Sequence, residues 1–157
     1  MSKNLSNAIN LYSSKNYNWA ISIFEEIIKN INIENEKNIP LDFLLLLYRN
    51  TAYTYIDISD FDWSIKYFEK TYFYTEKILN NIGGFNNNFW KDNLIWCLSS
   101  YIYALSMVKV FDIEQRKIYE RNLFIYFNYL SIFWDNLNNN FIINEFNKIK
   151  ESFKNLN

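Results

Sequence analysis

The ten residues Tyr17-Asn18-Trp19-Ala20-Ile21-Ser22-Ile23-Phe24-Glu25-Glu26 return 44 positions later (17 to 61) as Phe61-Asp62-Trp63-Ser64-Ile65-Lys66-Tyr67-Phe68-Glu69-Lys70. Seven of the ten positions agree in kind. Each block opens on an aromatic residue, places a small one three later (Ala20, Ser64) and a Phe four beyond that (Phe24, Phe68). A small residue lets the preceding helix approach closely, and the Phe fills the groove between the two. Ala8 and Ala52, again 44 apart, stand as the small partners on the preceding helices.

Outward from these blocks almost the whole chain reads as helix. Two Gly and one Pro in 157 residues leave few sharp turns, whereas a β-sandwich or barrel needs many. The first helix is expected over about 2–14, ending at Lys15-Asn16-Tyr17-Asn18. The second, about 18–31, carries Trp19, Ala20, Ile23, Phe24, Ile27, Ile28 and Ile31 on one broad apolar stripe. A charged linker leads to Pro40, which suits a first helical turn. The third helix, about 40–57, is apolar nearly all round and therefore central. Asp60 or Asp62 caps the fourth, about 62–80, which is expected to bury Trp63, Tyr67, Phe68, Thr71, Tyr72 and Ile78. Gly83-Gly84 ends it in the left-handed conformation that glycine adopts cheaply. A fifth helix follows over about 88–110. Asp112 and Gln115 form a capping box for a sixth, about 113–137. The seventh, about 140–155, alternates Phe141, Ile142, Phe146, Ile149 and Phe153 with Lys and Glu, as an amphipathic lid does. The expected fold class is all-α: one domain over 1–157, with helix pairs at 2–31, 40–80 and 88–137 and a capping helix at 140–155.

Composition narrows the function. There is no histidine, so Ser–His–Asp and Cys–His triads, His-ligated metals and histidine pH switches are all excluded. A chain that is 50% apolar and 20% aromatic with a net charge of −1 is not a disordered one. The 16 basic and 17 acidic residues are interspersed, with no run able to neutralise a row of phosphates, so no nucleic acid is expected as a partner. Met1-Ser2-Lys3-Asn4 lacks the apolar core of a signal peptide, and the longest uncharged stretch, 93–108, is short for a membrane span. A cytoplasmic protein without membrane contact is expected. Cys97, set in Ile95-Trp96-Cys97-Leu98, reads as a buried, inert thiol, because a reactive one needs a cationic neighbour and access. Enrichment in Asn, Ile, Lys, Tyr and Phe is what an AT-rich genome produces, and the Asn runs at 86–88 and 138–140 read as caps and turns. Glu25-Glu26, Asp57/Asp60/Asp62 and Asp112/Glu114 invite metal or acid–base readings, yet each lies at a helix start or face where capping explains it. Asp57 to Asp62 lacks the Gly and the distal Glu of a calcium loop, and no Gly-rich phosphate loop exists. The expectation is no enzyme, no cofactor and no metal.

The paired blocks resemble the tetratricopeptide repeat, an antiparallel helix pair that stacks into a right-handed superhelix. The resemblance covers about residues 4–30 and 44–78, and Tyr48, Ala52, Tyr55, Phe61, Ser64 and Phe68 carry it best. The usual glycine before the turn is Lys15 in the first repeat and Ser59 in the second; the usual proline after the second helix is missing from both. The spacing is 44 where the family has about 34. The fifth and sixth helices lack the small-residue signature, and an unrelated helical bundle is the alternative. The resemblance implies a groove lined by the first helix of each pair: Leu5, Ile9, Tyr12 and Ser13, then Leu46, Arg49, Asn50, Tyr53 and Asp57. By the family pattern Asn50 would bond a peptide backbone, and Arg49 would pair with a carboxylate. For both, the alternative is an ordinary solvated edge. The clamp by which some family members grip a C-terminal carboxylate needs Lys and Asn where Leu5 and Ile9 stand, and is absent.

Thirteen Tyr, 14 Phe and five Trp exceed what so small a core needs, and Tyr and Trp dominate interface hot spots. Coding bias accounts for most of them. Tyr53, Tyr55, Tyr74, Tyr126 and Tyr129 are the candidates for exposed partner contact. The expected function is recognition of a partner protein or peptide in that groove, as adaptor, assembly subunit or inhibitor of immunity type. The rival is a structural homo-oligomer that self-associates through the aromatic face of the fifth to seventh helices.

Overall fold

The structure, a computed structural model, describes residues 2–34, 36–81, 88–108, 112–133 and 139–155. It is all-α. Among the described residues seven α-helices follow one another: α1 (Ser2–Ser13), α2 (Tyr17–Glu34), α3 (Leu41–Asp57), α4 (Phe61–Asn81), α5 (Asn88–Ser106), α6 (Ile113–Phe133) and α7 (Asn139–Asn155). A 3₁₀ turn at Glu36–Asn38 precedes α3, whose N-cap is Pro40. Gly83-Gly84 and the expected end of the sixth helix at 134–137 lie outside the described residues. The chain divides into two compact units, 1–74 and 75–157, and the division falls inside α4.

In the first unit the sequence repeat is also a repeat of hydrogen bonds. Lys15 and Ser59, which stand where tetratricopeptide repeats carry glycine, both adopt a left-handed φ of 62°. The Lys15 amide donates to the Tyr12 carbonyl at 2.9 Å and the Asn16 amide to that of Leu11 at 2.9 Å. At the second turn Ser59 donates to Ile56 at 2.8 Å and Asp60 to Tyr55 at 2.9 Å. Both pairs are Schellman caps, which satisfy the last carbonyls of a helix by reversing the chain. The next helix starts at once: Ala20 donates to the Asn16 carbonyl and Ser64 to that of Asp60. Asp60 Oδ1 also accepts the Trp63 amide at 3.4 Å, so Asp60 rather than Asp62 is the cap.

So short a link demands close approach. Ala8, Ala20, Ala52 and Ser64 are wholly buried, and the Ser64 hydroxyl donates to the Ala52 carbonyl across the α3–α4 contact at 3.0 Å. Phe24 and Phe68 are fully buried, and Tyr53 meets Phe68 edge-on at 5.2 Å. Two expectations fail beside them. Trp19 and Trp63, placed on buried stripes by their spacing, are 71% and 44% exposed. Each precedes the small residue by one position, and one helical step is a rotation of about 100°. When Ala20 or Ser64 faces the partner helix, its Trp is turned to the flank. Tyr72, also expected in the core, is half-buried.

In the second unit α5 packs against both α6 and α7. The α6 start carries the expected capping box: the Gln115 amide donates to Asp112 Oδ1 at 2.8 Å, and the Asp112 amide to Gln115 Oε1 at 3.3 Å. Cys97 is buried on α5. Polar contacts fasten α7: the Tyr119 and Ser152 hydroxyls pair at 2.8 Å, and Asn155 donates to Ser106 Oγ at 3.2 Å. The buried Glu145 carboxylate accepts the Ser99 hydroxyl and takes Lys148 Nζ at 2.9 and 3.0 Å, while the same ammonium reaches Ser100 Oγ at 3.2 Å. Among the described residues no helix is long and apolar enough to cross a membrane.

Ser59→Gly is expected to stabilise the chain by about 0.5–1 kcal/mol, because the left-handed penalty of an L-residue exceeds the extra chain entropy of glycine. Ser59→Val is expected to cost about 1–2 kcal/mol. Urea unfolding measures both. Burial pushes the Glu145 carboxyl above its ordinary value, against the opposing pull of Lys148 and Ser99. A folded-state pKa above the unfolded one means stability that is present below the ordinary carboxyl range and lost as pH rises through the raised value. The stability of the wild type relative to Glu145→Gln is therefore expected to fall as pH climbs from about 4 upward, and a flat difference would show that the charge is fully compensated.

Candidate functional site

Three helices of the first unit are tied together by two carboxylates. Glu25 of α2 accepts, on Oε1, the phenol of Tyr55 from α3 at 3.0 Å and that of Tyr67 from α4. Just beyond α2, Glu36 Oε1 accepts the Tyr48 phenol of α3 at 2.9 Å, and Tyr74 of α4 bonds the same carboxylate. From Glu25 to Glu36 the partners advance along α4 (Tyr67 to Tyr74) and retreat along α3 (Tyr55 to Tyr48). The second helices α2 and α4 therefore run parallel, and α3 runs antiparallel to both.

Between the carboxylates the rings form a ladder. Trp63 stacks on Tyr55 at 6.0 Å, Tyr55 on Tyr67 at 5.7 Å, Tyr67 on Tyr48 at 6.2 Å, and Tyr48 on Tyr74 at 5.6 Å. Burial first, and then the facing carboxylate, push the phenols of Tyr48, Tyr55, Tyr67 and Tyr74 well above the ordinary tyrosine value, which keeps them protonated as donors. Tyr55 and Tyr74 were expected at the surface and are buried here. Tyr126 of α6, also expected there, is buried as well, while Tyr53 and Tyr129 are half-buried. The exposed large rings are instead the ones with no phenol to satisfy: Trp19, Trp63 and Phe73 in the first unit, Phe124, Phe127, Phe146 and Phe153 in the second.

Over the ladder lies an open groove of about 940 Å³ between α2 and α4. Its floor is Tyr48 and Tyr67. One wall is Glu25, Glu26, Ile28 and Lys29 of α2, and the other is Lys66, Glu69, Lys70 and Phe73 of α4. Lys66 Nζ sits 4.1 Å from the Trp63 ring centre and 5.5 Å from that of Tyr67. Lys70 Nζ lies 6.0 Å over Tyr48 and 3.8 Å from Glu36, a solvated pair of little strength. Phe73 is 52% exposed at the rim. Among the described residues no three Asp, Glu or Cys side chains gather to hold a metal ion.

None of the nine residues expected to line a groove, Leu5, Ile9, Tyr12, Ser13, Leu46, Arg49, Asn50, Tyr53 and Asp57, borders this one. Leu5 is a core residue. Tyr12 and Asp57 do meet, through a phenol–carboxylate bond, and burial first and then this bond push the phenol above its ordinary value. The Asn50 amide donates to the Leu46 carbonyl of its own helix at 2.7 Å. Arg49, Ile9 and Tyr53 are half-buried. The α2–α4 groove and the internal role of Glu25 escaped the sequence reading. One signal was present: Ile21, Glu25 and Ile28 are spaced four and three apart, which puts the acid on an apolar flank of α2.

Glu25→Ala strands two buried phenols and is expected to cost about 2–4 kcal/mol in urea unfolding. Tyr67→Phe is expected to cost about 1 kcal/mol, and the double variant clearly less than the sum, since both remove one bond. Additive losses would show that Glu25 and Tyr67 act independently.

No family model, curated protein or solved structure matches the chain.

Proposed function

We propose that the chain is a protein-recognition module built on tetratricopeptide-like hairpins, which binds a partner protein or peptide as an adaptor, an assembly subunit or an inhibitor of immunity type, and which catalyses nothing. The observation that carries this reading is the open α2–α4 groove, with exposed Phe73 at its rim over a stacked aromatic floor. Rings already held by stacking and by phenol–carboxylate bonds lose little freedom on docking, and pre-organisation of that kind is what turns contact area into affinity. Aromatic anchors beside mixed charge are the usual make-up of an interface hot spot. The hairpin part of the proposal draws on the matched Schellman turns at Lys15 and Ser59 and on the buried small residues that accompany them.

A second reading has its own observation. Phe124 and Phe127 of α6 and Phe146 and Phe153 of α7 are exposed, as a self-associating surface requires. Light scattering separates the two: a strict monomer at micromolar concentration removes self-association.

The recognition reading is tested by capture from an extract of the source cells, with helicity of every variant checked by circular dichroism. Phe73→Ala at the rim of the groove is expected to lower recovery of the bound protein about tenfold or more, as hot-spot truncations do. Arg49→Ala and Asp57→Ala, outside the groove, are expected to leave it unchanged. The opposite pattern would move the interface to the first helices of the pairs.

A further inference from the structure

We infer that the α2–α4 groove takes a cationic side chain, Lys or Arg, from its protein partner and seats it on the Trp63–Tyr67 platform where the chain's own Lys66 now lies. The inference rests on the recognition reading above and adds the chemistry of the ligand. Trp63 stacks on Tyr55 at 6.0 Å and on Tyr67 at 6.2 Å, so its half-exposed ring is a fixed, electron-rich surface. Such a surface attracts ammonium and guanidinium groups. Lys66 shows the site in use: its ammonium stands 4.1 Å over the indole and pairs with no carboxylate among the described residues.

The acids of the groove point the same way. Glu25 spends only Oε1 on its two phenols, while Oε2 takes no hydrogen bond among the described residues. A carboxylate has about four acceptor sites, so capacity for an incoming donor is left. Glu26 and Glu69, on opposite walls, carry no ion pair among the described residues. Against these stand three lysines, but two of them already occupy ring faces, Lys66 over Trp63 and Lys70 over Tyr48. With those two swung outward, Lys29 is the one lysine left in the lining, beside Glu25 and Glu26 on the α2 wall and across the floor from Glu69. An anionic ligand would meet three carboxylates, whereas a cation meets rings and acceptors together. Guanidinium suits the place best, because it is planar, stacks on an aromatic face and can bond a carboxylate through two N–H groups.

The test is nuclear magnetic resonance titration of the full chain with N-acetyl-arginine amide and, at matched ionic strength, N-acetyl-glutamate amide. The arginine compound is expected to give saturable shifts at the Trp63 indole and at residues 66–70, and the glutamate compound none. Lys66→Met removes the resident cation from an exposed position without disturbing the core, and is expected to tighten arginine binding about two- to fivefold. Trp63→Leu is expected to abolish it. Equal response to both compounds, no saturable response at tens of millimolar, or weaker arginine binding in Lys66→Met overturns the inference. If arginine fails while partner capture still depends on Phe73, only the cation assignment falls. If arginine binds while capture ignores the groove, the recognition reading falls instead.

Discussion

A phenol buried in a core has to be given a hydrogen-bond acceptor, and in residues 1–74 that requirement, met by two half-buried carboxylates, sets the arrangement of three helices. Glu25 draws Tyr55 of α3 and Tyr67 of α4 to one point, and Glu36 draws Tyr48 and Tyr74 to another. Two fixed points along each helix determine its direction and its register. A slip of α4 by one residue would leave the buried Tyr67 phenol without Glu25, and an orphaned buried donor is costlier than a lost apolar contact. The apolar wedges Phe24 and Phe68 are fully buried, but greasy contacts tolerate sliding. The phenol–carboxylate bonds do not.

The parts of this arrangement that were legible in the sequence are those governed by near neighbours. The Asp112–Gln115 capping box, the turn at Asp60 and the burial of Ala20, Ser64, Phe24 and Phe68 follow from local spacing, and they stand in the structure. Even the departures from the family pattern kept their geometry, since Lys15 and Ser59 adopt the left-handed turn without glycine. What was not legible depends on pairings between distant residues. Glu25 finds Tyr67 across 42 positions and Tyr55 across 30, and no local rule links them. Lacking those acceptors, a tyrosine such as Tyr55 or Tyr74 reads as too polar for the core and is assigned to the surface. Trp63 was misplaced for the converse reason: hydrophobicity put it inside, while its one-residue offset from Ser64 turns it out.

The same bonds connect the scaffold to the groove for which recognition is proposed. Tyr48 and Tyr67 are the floor of the α2–α4 groove, and their phenols are anchored by Glu36 and Glu25. A groove with an anchored aromatic floor and lysines lying on ring faces offers a ligand a surface already ordered. The resemblance to tetratricopeptide repeats had directed attention to the first helices, where Leu5 is spent on the core and Asn50 on its own backbone. In this chain the exposed aromatic surface of the first unit gathers instead on the second helices, at Trp19, Trp63 and Phe73.

The most direct test of the phenol–carboxylate core is a residue-resolved titration of the tyrosines by carbon-13 resonance, followed upward from neutral pH beside the far-ultraviolet dichroism. The account predicts that Tyr48, Tyr55, Tyr67 and Tyr74 stay protonated through the ordinary tyrosine value of 10 and ionise only as helical signal is lost. Reversible ionisation of these four near 10, with the helices intact, would contradict it.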